Sequence, residues 1–385
     1  MRPVYITATA AALPNAPVAN DQMEAVLGQA GNKPSRARSV VLRSNGIQTR
    51  YYAVDPATGT ATHTNAQLTA AAIRALPAEA AAVGVLACGT SLADQLMPNH
   101  AVMVQGELGL PACEVVATSG VCLAGMTALK YAWMAVASGQ CERAVATGSE
   151  VASAVLRGHL FEPEVDARVE ALEKQPELVF EKDFLRWMLS DGAGAMRLAP
   201  QPAAAGLSLR VEWIDVRSFA DQLDACMYAG AIKREDGSLQ GWKAMAPQTW
   251  LDESVFAIKQ DVKLLNPNIV PLTVERFLPD VIEQRQLLAD QVDYFLPHYS
   301  SEYFRQRLYD GMKVAGCEIP FERWFTNLTR CGNTGSASIY IMLDELLHSG
   351  RLQVGERILC YVPESGRFSS AFMLLQVCAS EAAGA

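Results

Sequence analysis

A cysteine at the start of a helix is a candidate nucleophile, and Cys122 occupies such a position. Val115 and Val116 read as the end of a strand, and Thr118, Ser119 and Gly120 as a turn. From Leu123 onward, apolar residues recur at Met126, Leu129, Trp133, Met134 and Val136, close to helical period, and Ser138-Gly139 closes the segment. Unpaired N–H groups in a first helical turn favour negative charge. They are expected to lower the pKa of a thiol there and to hold an oxyanion. Most cysteines in apolar surroundings are inert core residues, so position alone does not assign the role.

Internal repetition supplies a second argument. Thr329 to Gly350 again reads as turn, apolar helix and Ser-Gly. Ser138 and Ser349 are 211 positions apart, and so are Cys122 and Asn333. Both copies continue through Glu-Arg into a strand, from Glu142-Arg143 to Glu150 and from Glu356-Arg357 to Glu364. Upstream, VGVLACGTS (83–91) and VDYFLPHYS (292–300) correspond more loosely. Two copies at this separation imply two similar halves rather than a solenoid. In a two-fold arrangement the helix N-termini meet near the pseudo-axis, which would bring Cys122, Asn333 and the strand-end His298 to one pocket. These residue types suit acyl transfer. The sulfur can carry the acyl group, while a neutral imidazole and a carboxamide can donate hydrogen bonds to a carbonyl gaining charge.

The same residues resemble the thiolase-fold condensing enzymes of the 3-oxoacyl-acyl-carrier-protein synthase III (ketoacyl synthase III) type, nearly end to end. Gly46-Ile-Gln-Thr-Arg50 resembles the family's GIxxR. Thr90-Ser91 through Pro98 and Gln105 to Leu108-Gly109 resembles the approach to the nucleophile, and Cys122 with Gly125, Ala128 and Leu129 the nucleophile loop and helix. Asp191–Ala195 matches DGAGA, Pro297-His298 the PH motif and Asn333-Thr334 the NT motif. The resemblance implies an α/β, thiolase-like fold, with two pseudo-symmetric βαβαβ halves in a five-layered α-β-α-β-α core. It divides the chain into residues 1–205, with an inserted segment at 151–188, and residues 206–385, with a cap at 227–251. It also implies a catalytic set of Cys122, His298 and Asn333; the asparagine favours the type III branch over the elongating synthases, which use two histidines.

The implied chemistry is condensation of an acyl group held on Cys122 with a malonyl- or 3-ketoacyl-thioester. The substrates would be acyl-coenzyme A or acyl-carrier-protein thioesters, with no cofactor and no metal, in a cytoplasmic homodimer. Glu364-Ser365-Gly366-Arg367-Phe368 stands in place of the family's GGGF, implying an oxyanion hole from the backbone N–H groups of Cys122 and Arg367. Glu150 and Glu364 are candidate auxiliary bases for a 3-ketoacyl substrate. An ESGRF end resembles ketosynthases that join two acyl chains and cyclise the product, as in dialkylresorcinol formation, and so points to specialised lipid or polyketide biosynthesis. The basic run Lys33, Arg36, Arg38 and Arg43 corresponds to the border of the phosphopantetheine entrance, where an acidic carrier protein would fit. The family's coenzyme A tryptophan and arginine are missing near Val40 and Ser44, and its QAN after the histidine is replaced by Tyr299-Ser300-Ser301. Two rival readings share the triad's setting: acyl transfer to an oxygen or nitrogen acceptor, and a non-catalytic subunit of a heteromeric synthase. A degradative thiolase would need a second cysteine in a glycine-rich C-terminal motif, and ESGRFSS has none.

Composition agrees with a large acidic globular chain. Of 385 residues, 50% are hydrophobic and 19% charged, enough for an extensive core. A net charge of −9 argues against nucleic acid as the main partner. Nine cysteines show no metal-ligand spacing, and their odd number fits reduced thiols. No apolar run reaches membrane-spanning length. Further expectations are helices over 20–30 (capped by Asn20) and 65–77, strands over 83–90 and 207–218, and a helical pattern over 253–289 broken near Pro267 and Pro271. DGAGA is expected to form a tight turn, and Trp242 and Trp250 to be packing anchors or to line an acyl tunnel.

Overall fold

The computed structural model describes residues 1–29, 34–35, 38–78, 82–161 and 185–380. Nine strands form its main sheet: β1 (Tyr5–Ala12), β2 (Val85–Thr90), β3 (Glu114–Ser119), β4 (Ala144–Glu150), β5 (Gly192–Ala199), β6 (Ser208–Ser218), β7 (Tyr294–Pro297), β8 (Arg357–Glu364) and β9 (Ser369–Cys378). Their spatial order is β7-β8-β9-β6-β1-β5-β4-β2-β3. The centre of this sheet is narrow: β1 and β6 pair only through Tyr5 with Arg210 and Ile6 with Leu209.

On either side of that junction the order repeats. From β1 outward come β5, β4 and β2; from β6 outward come β9, β8 and β7. The directions match as well. The β2–β4 and β7–β8 pairs are parallel, and β4–β5 and β8–β9 are antiparallel. Beyond β2 the first half adds β3. At the equivalent place beyond β7 the second half has one parallel bridge, Phe295 with Trp324.

Alternation along the strands explains the layering. In β2, Val85 and Ala87 enter one core while Leu86 and Cys88 enter another. In β8, Ile358, Cys360 and Val362 join the same core as Val85, and Leu359 and Tyr361 face a third. A strand buried on both faces must be apolar on both, and the runs Val85–Cys88 and Ile358–Val362 are. The shared middle core holds α5 (Ala124–Ala137) and α9 (Ser338–His348). One outer core packs α3 (Asn65–Arg74) and α4 (His100–Leu108) on the first half-sheet. The other packs α6 (Val262–Val270), α7 (Phe277–Arg285) and α8 (Arg305–Val314) on the second. The result is helix, sheet, helix, sheet, helix.

Local signals fared unevenly. Thr64 and Gln67 form a capping box that starts α3. The helix expected over 20–30 shrinks to α1, Met23–Leu27, preceded by Gln22; the Asn20 amide instead donates to the Ile47 carbonyl and its oxygen accepts from Arg50. Over 253–289 the helix breaks at Pro271, where a π-helical turn to Arg276 joins α6 to α7, but not at Pro267, which lies inside α6. Proline has no N–H to continue the ladder, so the register slips there. DGAGA serves close packing more than turning. Its glycines lie in β5, and a Cβ at Gly194 would stand 2.3 Å from the Tyr340 Cβ of α9. Asp191 is buried and accepts from the N–H groups of Ala53 and Ser153. Most of the insertion expected at 151–188 lies outside the described residues. Among the described residues no helix is long and apolar enough to cross a membrane.

Candidate active site

The ends of β7 and β8 and the turns leading into α5 and α9 converge on one cavity. Cys122, His298 and Asn333 all line it. Cys122, two residues before α5, and Asn333, five residues before α9, thus lie on a shared wall, as the 211-residue repeat implied. The rest of the wall is mostly apolar. Leu265, Ile269 and Val270 come from α6, Phe304 and Leu308 from the α8 region, and Met188 from the segment before β5.

Hydrogen bonding orients the three polar groups. The Asn333 side-chain oxygen accepts from the Gly335 N–H at 3.0 Å, and its backbone is held by Met188 and Ser190 at 2.9 Å each. With the oxygen used locally, the amide NH₂ keeps both protons and has no acceptor among the described residues. His298 is buried, and its backbone N–H donates to the Tyr361 carbonyl at 2.8 Å. Burial lowers its imidazole pKa to about 4, so the ring is neutral at pH 7. Cys122 is half-buried at the start of α5.

Its environment overturns one expectation. Burial pushes the Cys122 thiol well above its ordinary range, and the nearby Glu150 and Glu364 carboxylates push the same way. The helix N-terminus does not dominate, because Glu364 already occupies it: the carboxylate accepts from the N–H of Val121 at 2.9 Å and of Leu123 at 3.4 Å. The Cys122 N–H between them has no acceptor in another described residue.

Glu150 makes the mirror-related contact. From the end of β4 it accepts from the N–H of Ser336, in the turn before α9, at 3.2 Å, and from the N–H and hydroxyl of Ser91 at 3.1 and 2.5 Å. Each half thus sends a strand-end carboxylate to the helix start of the other. Glu150 is fully buried and its pKa is raised to about 7. Neither carboxylate lines the cavity.

The remaining expected site residues are distributed as follows. Arg367 is exposed, its guanidinium donates to the Leu223 carbonyl at 2.9 Å, and it is absent from the cavity wall. Ser365 is the residue of that turn on the wall, with Pro363 just before it. Sequence reasoning missed Gln260, which also lines the cavity and donates to Ser365 Oγ at 3.0 Å; no periodicity marks it. Met227 is the cap residue on the wall. Trp242 and Trp250 pack edge-on at 5.5 Å with Phe256 beside them, away from the cavity. Arg36 lies outside the described residues. Arg38 covers the Trp187 ring at 5.6 Å and pairs with Glu24 at 3.6 Å, while Arg43 is exposed on α2 (Arg38–Asn45). Among the described residues no group of three or more His, Cys, Asp or Glu is arranged to hold a metal ion.

Comparison with known proteins bears on the fold that carries this site. Residues 282–374 match the family model for the 3-oxoacyl-[acyl-carrier-protein] synthase III C terminal. The chain is 23% identical over 359 residues to the beta-ketoacyl-[acyl-carrier-protein] synthase III of Rhizorhabdus wittichii, covering 92% of this chain and 94% of that protein. Among solved structures it resembles a tetronic acid condensing enzyme (TM-score 0.74, 21% identity, 97% and 99% of the two chains). It likewise resembles the 3-oxoacyl-(acyl carrier protein) synthase III of Pseudomonas aeruginosa (TM-score 0.70, 19% identity, 97% and 98%).

Proposed function

We propose, from the premise that this chain belongs to the ketoacyl-synthase-III-like family of thiolase-fold condensing enzymes, that it joins an acyl thioester to a malonyl- or 3-ketoacyl-thioester through a Cys122-bound intermediate. The observation that carries this reading is the meeting of Cys122, His298 and Asn333 on one apolar-walled cavity.

The chemistry follows from the protonation states. Cys122 rests as a thiol, so its proton must leave as sulfur attacks the first thioester carbonyl. The neutral imidazole of His298 is the base on the same wall. The Cys122 N–H stabilises the oxyanion, and a second donor is expected from the Ser365 turn rather than from Arg367. Collapse expels the first carrier thiolate, which takes the proton back from His298, and leaves a thioester on Cys122. The aliphatic wall suits the acyl chain. A second thioester then binds with its carbonyl at the Asn333 NH₂ and the His298 N–H. Loss of CO₂ from a malonyl unit, or of a proton from a 3-ketoacyl unit to solvent, produces an enolate that these two donors stabilise. Its carbon attacks the acyl carbonyl, a carbon–carbon bond forms, the Cys122–acyl bond breaks, and the departing sulfur takes a proton from solvent to return to the thiol.

The repeated strand order supports residues 1–205 and 206–385 as the two units of this scaffold. Arg43 is the exposed described cation of the basic run and our candidate contact for an acidic carrier. Among the described residues the outer edge of β3 has no strand partner, which suits addition of a second copy. Product analysis after sequential addition of an acyl thioester and isotope-labelled malonyl thioester tests the reaction. A labelled ketoacyl product or its cyclised derivative supports condensation. An ester or amide of an added acceptor would replace it with simple acyl transfer, and no turnover with an intact Cys122 adduct would favour the partner-subunit role.

A further inference from the structure

Glu364 does something that the condensation chemistry does not require. It ends β8 in the second half and reaches the first half's nucleophile turn, 241–243 positions away in sequence. There one oxygen accepts from Val121 N–H and Leu123 N–H, while the intervening Cys122 N–H stays without an acceptor in another described residue. Gly120 makes room for this approach: a Cβ there would lie 2.9 Å from that same oxygen.

We propose that Glu364 is a positioning residue for Cys122. Its carboxylate pins the N–H groups on both sides, reserves the Cys122 N–H for the oxyanion, and holds the sulfur as a thiol until a thioester arrives. The proposal rests on Cys122 being the acyl-carrying nucleophile. Burial is the largest reason the sulfur rests as a thiol, and charge adds to it. A helix N-terminus is where a thiolate would be stabilised, and a carboxylate already there both satisfies the local donors and repels a second anion. The charged or titratable groups facing Cys122 are the Glu364 carboxylate, the Glu150 carboxylate at the mirror-related turn, and the His298 imidazole on the shared wall. Arg367, two residues after Ser365, points outward to the Leu223 carbonyl and does not neutralise Glu364. Once Cys122 is acylated it bears no charge, so the arrangement penalises only the free thiolate. A free enzyme protected in this way resists alkylation and oxidation, both of which require a thiolate.

The test is the pH dependence of Cys122 alkylation by iodoacetamide, followed by peptide mass, in the parent, Glu364→Gln and Glu364→Ala. Glutamine keeps an acceptor for Val121 and Leu123 but removes the charge. Its alkylation curve should move at least about one pH unit downward, making it about tenfold faster at a given pH on the rising limb. Alanine removes the acceptor too, and it should also slow single-turnover acylation by a thioester relative to glutamine. A Glu364→Gln curve that superimposes on the parent's overturns the proposal. So does equal acylation by the glutamine and alanine variants. Failure of the parent to form any acyl adduct, with the alkylation shift still present, would instead fault the assignment of Cys122 as acyl carrier.

Discussion

The two central helices meet in close contact at Gly125, and a single methyl group there should be felt at the proposed active site. In α5, a Cβ on Gly125 would lie 2.3 Å from the Ser336 carbonyl oxygen, 3.0 Å from the Tyr340 ring and 3.2 Å from the Gly148 Cα. A carbon–oxygen contact needs about 3.3 Å, so Gly125→Ala must separate the α5 and α9 units by about 1 Å. Two of the three obstacles are backbone, and a rotamer change cannot relieve them. Overpacking of this kind costs about 1–3 kcal/mol. The Tyr340 hydroxyl donates to the Gly125 carbonyl at 2.8 Å, and straining that bond adds about 1 kcal/mol. The expected loss is therefore about 3 kcal/mol in urea unfolding. Function should fall further. Gly125 is three residues from Cys122 and Ser336 three from Asn333, and a misplacement of about 1 Å can cost about 100-fold in rate. Single-turnover acylation and condensation measure this. Gly106→Ala is the control: Gly106 lies inside α4 with nothing within 4 Å of its Cβ position, so alanine there should stabilise by about 0.5–1 kcal/mol. Unchanged stability and kinetics in Gly125→Ala would refute the claim that the helix starts are locked in direct contact.

Asn333→Ala should leave the Cys122 acyl adduct detectable while condensation falls about 100- to 1000-fold, because the amide serves the enolate rather than the first transfer; intact mass and product formation separate the two steps. Ile269→Phe, which fills the apolar wall, should shift the preferred acyl donor to shorter chains in a competition among thioesters of graded length. Glu150 gives a pH prediction with a definite sign. Its pKa rises from an ordinary 4.5 to about 7 on folding, so its contribution to stability is present below pH 4.5 and is lost as pH rises through about 7. The limiting size is about 3 kcal/mol. Glu150→Gln should therefore gain stability relative to the parent between pH 5 and pH 8, read from urea midpoints at both values.

Much of the scaffold was legible because it is local. Cys122 and Asn333 could be matched since each precedes an apolar helix of similar length ending in Ser-Gly, and His298 since it ends a short buried strand. The apolar runs Val85–Cys88 and Ile358–Val362 mark strands buried on both faces, while which residue enters which core is seen only in the structure. What escaped is long-range. No pattern in ESGRF says that Glu364 turns back to Val121 and Leu123, so the helix N-terminus was read as free to stabilise a thiolate. Position in a motif points to Arg367, whereas Ser365 is the residue of that turn on the cavity wall. Asn20 was read as a helix cap because asparagine favours that role, yet the buried Arg50 and the Ile47 carbonyl claimed its side chain. The glycines of DGAGA were read as turn formers because glycine's absent side chain says nothing about what fills the space, here Tyr340.

The central claim, an acyl group carried on Cys122, is tested most directly by intact mass after mixing the protein with acyl thioesters of graded chain length on coenzyme A and on carrier protein, beside Cys122→Ala. The account predicts a mass increase equal to one acyl group in the parent, strongest for an aliphatic chain that the α6–α8 wall accommodates, and none in the variant. An adduct of the same size and rate in Cys122→Ala would contradict it, as would a parent that remains unmodified by every donor.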